Sequence, residues 1–288
     1  MCRMLAMVAR GDAVKNIVPE LIDAFYRASR DDPYLASITG GDGRHCHGYG
    51  FVLAARTSGG WMLSYERFDA ANDLGVGEES CRVNLEELGK ACSRIKRVVS
   101  SADQVVLVLH SRRAGRQEPR GVQHAHPYHY CMGLRGGAVD IFLAHNGSVD
   151  KESLARIVGV DPSSYTDSNI LLLWMASQIR YGVSFKEAII SAKSYTKPGR
   201  GLDLAILTIS PGLGLDLYLV GYVAPEPDDK RRRYYETFIV RSDDIIAMVS
   251  STIKDYASSL GLDFKSLYGR AVHVDARRVR IVEEWDMV

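Results

Sequence analysis

The feature that most constrains this chain lies at its start, where Met4-Leu5-Ala6-Met7-Val8-Ala9 forms an unbroken apolar run within the first ten residues. A short run of this kind without helical periodicity predicts a strand buried on both faces. The first residues are therefore expected inside the fold. Arg3 and Arg10 bracket only the stretch Met4 to Ala9, too short for the apolar region of a secretory leader.

Val14, Ile17, Val18, Leu21, Ile22 and Phe25 fall on one helical face, with Pro19 in the early turns. Leu85, Leu88, Cys92, Ile95 and Val99 mark a second helix. Strands are expected at 49–56, 61–67, 104–110 and 139–145, and helices at 150–158, 167–181 and 184–195. The remainder turns to strand, at 203–210, 214–223, 234–241, 244–250, 271–275 and 278–283, with Pro211-Gly212 and Pro225-Glu226-Pro227 as turn material. Strands in this proportion, without regular strand–helix alternation, predict two packed antiparallel sheets with helices on both outer faces. No linker or repeat divides the chain, so residues 1–288 are expected to form a single domain.

A chain of 288 residues, 46% hydrophobic, has enough apolar surface for a substantial core. Lys plus Arg number 36 against 35 Asp plus Glu, so no whole-molecule field attracts nucleic acid or an anionic membrane. The longest apolar helical stretch, Asn169 to Ile179, is too short to span a bilayer. Five cysteines without a C-x-x-C pair argue against a disulfide framework and for a cytoplasmic location. The run Lys230-Arg231-Arg232-Arg233 reads as a solvated loop.

Cys2 is the first residue with unusual chemistry, because removal of Met1 places its thiol and a free α-amine on one Cα. A thiol of pKa about 8.5 needs a base, and an α-amine of pKa roughly 7.7–8.0 is partly neutral near pH 7. Taken alone, Cys2 reads first as a small buried hydrophobe at the start of a strand. Along His110-Ser111-Arg112-Arg113, strand alternation puts His110 and Arg112 on one face and Ser111 and Arg113 on the other. One guanidinium is thereby aimed at a site where it suits a carboxylate, a solvated basic loop being the alternative. Asn146-Gly147 reads either as a hairpin turn or as two donors, a side-chain amide and a backbone N–H, for an oxyanion. Thr166-Asp167-Ser168 caps a helix, and the Asp167 carboxylate can also pair with an ammonium. His45-Cys46-His47 and His124-x-His126-x-x-His129-x-Cys131 offer zinc-type ligands without a zinc spacing, so neither metal nor cofactor is expected.

Taken in order, Met1-Cys2-Arg3, His47-Gly48-Tyr49-Gly50-Phe51, His110-Ser111-Arg112, His126-Pro127-Tyr128, His145-Asn146-Gly147-Ser148 and Thr166-Asp167-Ser168 resemble the class II glutamine amidotransferase domain of the N-terminal nucleophile hydrolases. The likeness is greatest to stand-alone members, whose late Ser-Ser strand is similar to Val249-Ser250-Ser251. It implies an α+β fold, the four-layer αββα sandwich of two mostly antiparallel sheets. It further implies Cys2 as nucleophile, Asn146 with Gly147 as oxyanion hole, Arg112 on the glutamine α-carboxylate, Asp167 on its α-ammonium, and His126 lining the pocket. The implied reaction is hydrolysis of glutamine or a γ-glutamyl amide through a thioester, with ammonia passed to a separate synthase or ligase subunit. Three positions depart from the family's usual pattern: His47 stands for Asp, Asn169 for Glu, and His124 for Asn. Two rivals remain at this point, an acylase-type N-terminal nucleophile hydrolase and a catalytically silent amino-acid-binding subunit that retains Met1.

Overall fold

In the computed structural model, which describes residues 2–115, 118–134, 137–210 and 214–287, the opening apolar run is a central strand. The chain lays down β1 (Cys2–Arg10), β2 (Tyr49–Thr57), β3 (Gly60–Phe68) and β4 (Gln104–Arg112), then β5 (Tyr128–Leu134), β6 (Gly137–Gly147), β7 (Leu202–Ser210) and β8 (Gly214–Gly221). It closes with β9 (Thr237–Arg241), β10 (Ile245–Ser250), β11 (Lys265–Ser266), β12 (Arg270–Asp275) and β13 (Arg280–Asp286). One sheet runs β11-β9-β10-β1-β4-β2-β3 and the other β13-β12-β8-β7-β6-β5, and neighbouring strands within each pair antiparallel.

Strand alternation divides the core into three apolar layers. Met4, Ala6 and Val8 of β1 meet Phe142, Ala144, Ala205 and Leu207 between the sheets. Leu5, Met7 and Ala9 point the other way, onto helices Val18–Arg30 and Glu78–Ser100. The outer face of the second sheet buries Ile141, Leu143 and Leu204 under helices Lys151–Val158, Asp167–Arg180 and Phe185–Ala192. The result is the expected α+β sandwich in the order helix, sheet, sheet, helix. No helix among the described residues is long and apolar enough to cross a membrane.

The structure corrects several local expectations. The first helix divides into Asp12–Asn16 and Val18–Arg30, because Pro19 lacks an N–H and its ring clashes with the carbonyl four residues back. β5 carried no apolar run to reveal it: it is an edge strand with Tyr128 and Met132 buried and His129 and Cys131 exposed. The basic run is helical rather than a loop, since Asp228 caps Asp229–Tyr235 by accepting from Arg231 N–H, and the strand expected from 234 begins at Thr237. Pro211-Gly212 lies outside the described residues. Cys46 and Cys81 form a disulfide, which joins the loop before β2 to the first turn of Glu78–Ser100. Their separation of 35 residues carries no recognisable motif, and the cysteine argument about compartment falls away with the pairing.

Behind the start of β1 lies a buried ionic network. Arg3, fully buried, donates from Nε to Asp32 Oδ2 at 2.7 Å and lies 4.1 Å from the centre of the Tyr234 ring. His45 Nε2 contacts the same carboxylate oxygen at 2.7 Å, and Thr252 donates to Asp32 Oδ1 at 2.6 Å. Tyr234 in turn donates from its hydroxyl to the Cys2 carbonyl at 2.9 Å, which ties the network to the end of β1. Burial works to raise the Asp32 carboxyl, but the Arg3 charge and the His45 bond outweigh it and hold it below the usual carboxylate range. Burial lowers His45 to about 4.

Both shifts act in one direction. A depressed carboxyl contributes stability that is present above its unfolded pKa of about 3.9 and lost as pH falls. A histidine kept neutral lets the unfolded state take up the extra proton below about 6.5, so stability is again lost on acidification. Melting temperature is expected to fall as pH drops below about 6.5 through His45 and further below about 3.9 through Asp32, and a profile flat from pH 7 to about pH 3 would contradict the network. Asp32→Ala, which strands Arg3 as a buried unpaired charge, is expected to cost about 3–5 kcal/mol in denaturant unfolding at pH 7.

Candidate active site

The inter-sheet face of β1 continues from Val8, Ala6 and Met4 to Cys2, and that of β4 from Val106 and Val108 to His110 and Arg112. Cys2 is the register partner of Arg112. On the opposing sheet, Phe142 and Ala144 continue to Asn146, whose partner on β7 is Asp203. Alternation in four strands thus delivers these side chains to one end of the inter-sheet layer. A cavity of about 540 Å³ opens there, lined by Cys2, Arg112, His126, Gly147 and Asp167, with His145, Glu118, Lys197, Arg200 and Tyr235 also on its wall. Asn146 lies behind the wall, fully buried.

The electrostatics single out the Cys2 thiol. Burial, with the nearby Asp23 charge, drives Cys92, in the outer core, up to about 12. Cys2 is just as buried, and burial pushes it up as well, but the positive chain terminus, the His110 ring and the Arg113 backbone N–H together bring it down to about 6. His126 packs on His110 at 4.2 Å between ring centres and on Tyr128 at 4.6 Å. Burial holds its ring well below the ordinary histidine range, and neither ring nitrogen has a hydrogen-bond partner among the described residues. His145 is lowered to about 4, chiefly by burial, and its Nδ1 meets Ser168 Oγ at 2.9 Å.

Asn146 accepts from the Cys2 backbone N–H through Oδ1 at 2.8 Å and donates from Nδ2 to Asp203 Oδ2 at 3.0 Å. The second hydrogen on Nδ2 remains available to another acceptor. Gly147 has no room for a side chain, since a Cβ there would lie 1.7 Å from the Gly201 carbonyl oxygen and 2.5 Å from His145 Nε2.

Arg112 donates from Nη1 to the Pro119 carbonyl at 2.9 Å. His47 brackets the same strand end, its backbone N–H donating to the Arg112 carbonyl at 2.8 Å and its Nδ1 accepting from Ala114 N–H at 3.0 Å. Thr166 is the N-cap of Asp167–Arg180, accepting from Asn169 N–H, which leaves Asp167 to face the cavity while it accepts from Val149 N–H at 3.2 Å and Ser168 N–H at 2.8 Å. Ser250, from the late Ser-Ser pair, contacts the Met4 backbone at 3.1 Å and so supports β1.

Cys2, Arg112, His126, Gly147 and Asp167 therefore meet at one cavity, with Asn146 bonded to Cys2 from behind. The placement of Arg113 on the opposite strand face is corrected: β4 ends at Arg112, alternation ends with it, and Arg113 also reaches the cavity wall while bonding Asp42 Oδ2 at 2.8 Å. Sequence reasoning passed over Asp203, Glu118 and Tyr235. Asp203 was traceable only as the cross-strand partner of Asn146, a pairing visible once the register of β6 and β7 is known. Among the described residues no group of three or more His, Cys, Asp or Glu side chains is arranged to hold a metal ion.

No protein-family model matches the chain, and no curated protein sequence does. Solved structures do. The chain is similar to a glutamine phosphoribosylpyrophosphate amidotransferase from B. subtilis, complexed with ADP and GMP, at 11% identity and a TM-score of 0.55. It is also similar to a structure described as the allosteric regulatory enzyme of purine biosynthesis, at 12% identity and a TM-score of 0.53. Each match covers 99% of this chain and 49% of the other, so the chain spans about half the length of the structures it matches. At such identity the likeness is one of fold.

Proposed function

We propose that this chain, acting as a single domain, hydrolyses the side-chain amide of glutamine, or of another γ-glutamyl amide, through a γ-glutamyl thioester on Cys2. The observation that carries the reading is the meeting, at one cavity, of the Cys2 thiol and two side chains of opposite charge, Arg112 and Asp167. A free amino acid brings a carboxylate and an ammonium, and these two residues complement one each.

In this reading Met1 is removed, and the freed α-amine of Cys2 takes the thiol proton as sulfur attacks the amide carbon. The oxyanion is held by the unused Nδ2 hydrogen of Asn146 and the Gly147 N–H. Collapse of the tetrahedral intermediate breaks the C–N bond, and the proton returns to the departing ammonia. Water then attacks the thioester, releasing glutamate and restoring the thiol. His126 closes the wall of the glutamine pocket as a neutral ring, and a separate synthase or ligase subunit receives the ammonia.

The clamp is tested by its selectivity. Arg112→Ala is expected to lower kcat/KM for glutamine about 10- to 150-fold while sparing an analogue with a blocked α-carboxylate. Asp167→Asn, which removes the charge and keeps one of the two oxygens that accept from Val149 and Ser168, is expected to do the same for the free ammonium against an N-blocked analogue. Equal losses on blocked and free substrates, or faster turnover of N-acyl amides by the unmutated enzyme, would move the acylase reading ahead.

A further inference from the structure

We propose that Asp203 is a positioning residue that fixes which way the Asn146 carboxamide faces. The inference rests on the reading of Asn146 as an oxyanion donor. A carboxamide has two ends of nearly equal shape and opposite hydrogen-bond character, and half a turn about its terminal torsion exchanges them. In the observed orientation Oδ1 accepts from the Cys2 nitrogen at 2.8 Å and Nδ2 faces Asp203 at 3.0 Å. Turned over, the amide would offer an oxygen in place of an N–H to the developing oxyanion, a repulsive contact, and would occupy the lone pair of the freed Cys2 amine that the thiol proton needs.

Asn146 and Asp203 are both fully buried, so bulk water is not at hand to satisfy the wrong orientation. Asp203 reaches its place by register: it is the cross-strand partner of Asn146, and its side chain shares the inter-sheet face with Ala205 and Leu207. A short acceptor at this position, and none at Leu202 or Leu204, which face the outer core, can meet Nδ2. Asp203 Oδ1 has no hydrogen-bond partner among the described residues, so the contact with Asn146 is the side-chain bond that accounts for a carboxyl at this depth. Burial moves the group well above the usual carboxylate range, against the Asn146 bond and the Arg3 charge. In either charge state the carboxyl presents an accepting oxygen to Nδ2.

The test compares Asp203→Ala and Asp203→Asn with the unmutated enzyme on glutamine, and measures affinity for glutamate and for an aldehyde analogue of glutamine, whose thiol adduct carries an oxygen where the oxyanion forms. Asp203→Ala is expected to lower kcat about 10- to 100-fold, less than the loss of the donor itself, with KM and glutamate affinity within about 3-fold. Aldehyde affinity should fall in step with kcat. Asp203→Asn, which can still offer an oxygen to Nδ2, should keep kcat within about 5-fold. Unchanged kcat in Asp203→Ala, a parallel fall in glutamate affinity, or a folded Asp203→Asn protein that loses more than about 10-fold in kcat overturns the inference, and the last holds even if the alanine variant does not fold. Those outcomes leave the glutaminase reading standing. Absence of turnover on glutamine and γ-glutamyl amides by the unmutated enzyme, with its N-terminus shown to be Cys2, removes the reading and this inference together.

Discussion

Cys2→Ser is expected to leave the fold intact and lower turnover of glutamine by at least about 10³-fold. The substitution changes one atom at a site that remains small and buried, so β1 keeps its pairing with β4 and β10. What changes is the proton. A thiol, ordinarily of pKa about 8.5, is within reach of an α-amine acting near neutrality, whereas an alcohol in the same place gives up its proton far less readily. Covalent trapping by an electrophilic glutamine analogue, read by mass spectrometry, should label unmutated protein at Cys2 and the variant nowhere. Cys92 is held near 12 by burial, and Cys131 is exposed but raised, so neither competes as a thiolate at neutral pH. Labelling at either of them, or full turnover by protein shown to retain Met1, would sink the proposed nucleophile and base.

Asn146→Ala is expected to lower kcat by about 10²–10³ with little change in KM. The oxyanion exists only on the way through the tetrahedral intermediate, so a donor aimed at it contributes to turnover and not to capture of the substrate. The structure adds a second loss to the first, because the same amide holds the Cys2 nitrogen through Oδ1. Asn146→Asp separates the two: it keeps an acceptor for Cys2 and removes the N–H donor. It should remain as impaired as the alanine variant within about 10-fold. Recovery of activity in the aspartate variant would mean that Asn146 serves the nucleophile alone and that the oxyanion is stabilised elsewhere.

Much of the architecture was legible because it is written in periods that local sequence carries. Alternation along Gln104–Arg112 placed His110 and Arg112 on one face, and the structure has both on the face that Val106 and Val108 turn to the other sheet. The capping role of Thr166 and the cavity-facing place of Asp167 were both readable in three consecutive residues, and both are realised. The rest depended on partners distant in sequence. Arg3 was visible as a charge at the edge of an apolar run, but its pairing with Asp32 and His45 required knowing that Val18–Arg30 ends against β1. The Cys46–Cys81 disulfide and the Asn146–Asp203 contact are likewise products of tertiary register. Local failures had local causes: Pro19 divided one helix, and Asp228 started another where charge suggested a loop.

The place of β1 between β4 and β10 also orders events in time. Its two neighbours, Gln104–Arg112 and Ile245–Ser250, are synthesised long after it, so the slot that receives the first strand cannot close until both have been made. Contacts this far apart in sequence form late and slowly. Until then the leading strand lacks at least one of its neighbours, and an aminopeptidase acting on the nascent chain meets an end not yet enclosed. After closure Cys2 is 4% exposed and its nitrogen is bonded to Asn146. On the reading proposed above, which needs a free amine on Cys2, removal of Met1 is in competition with the closing of this slot.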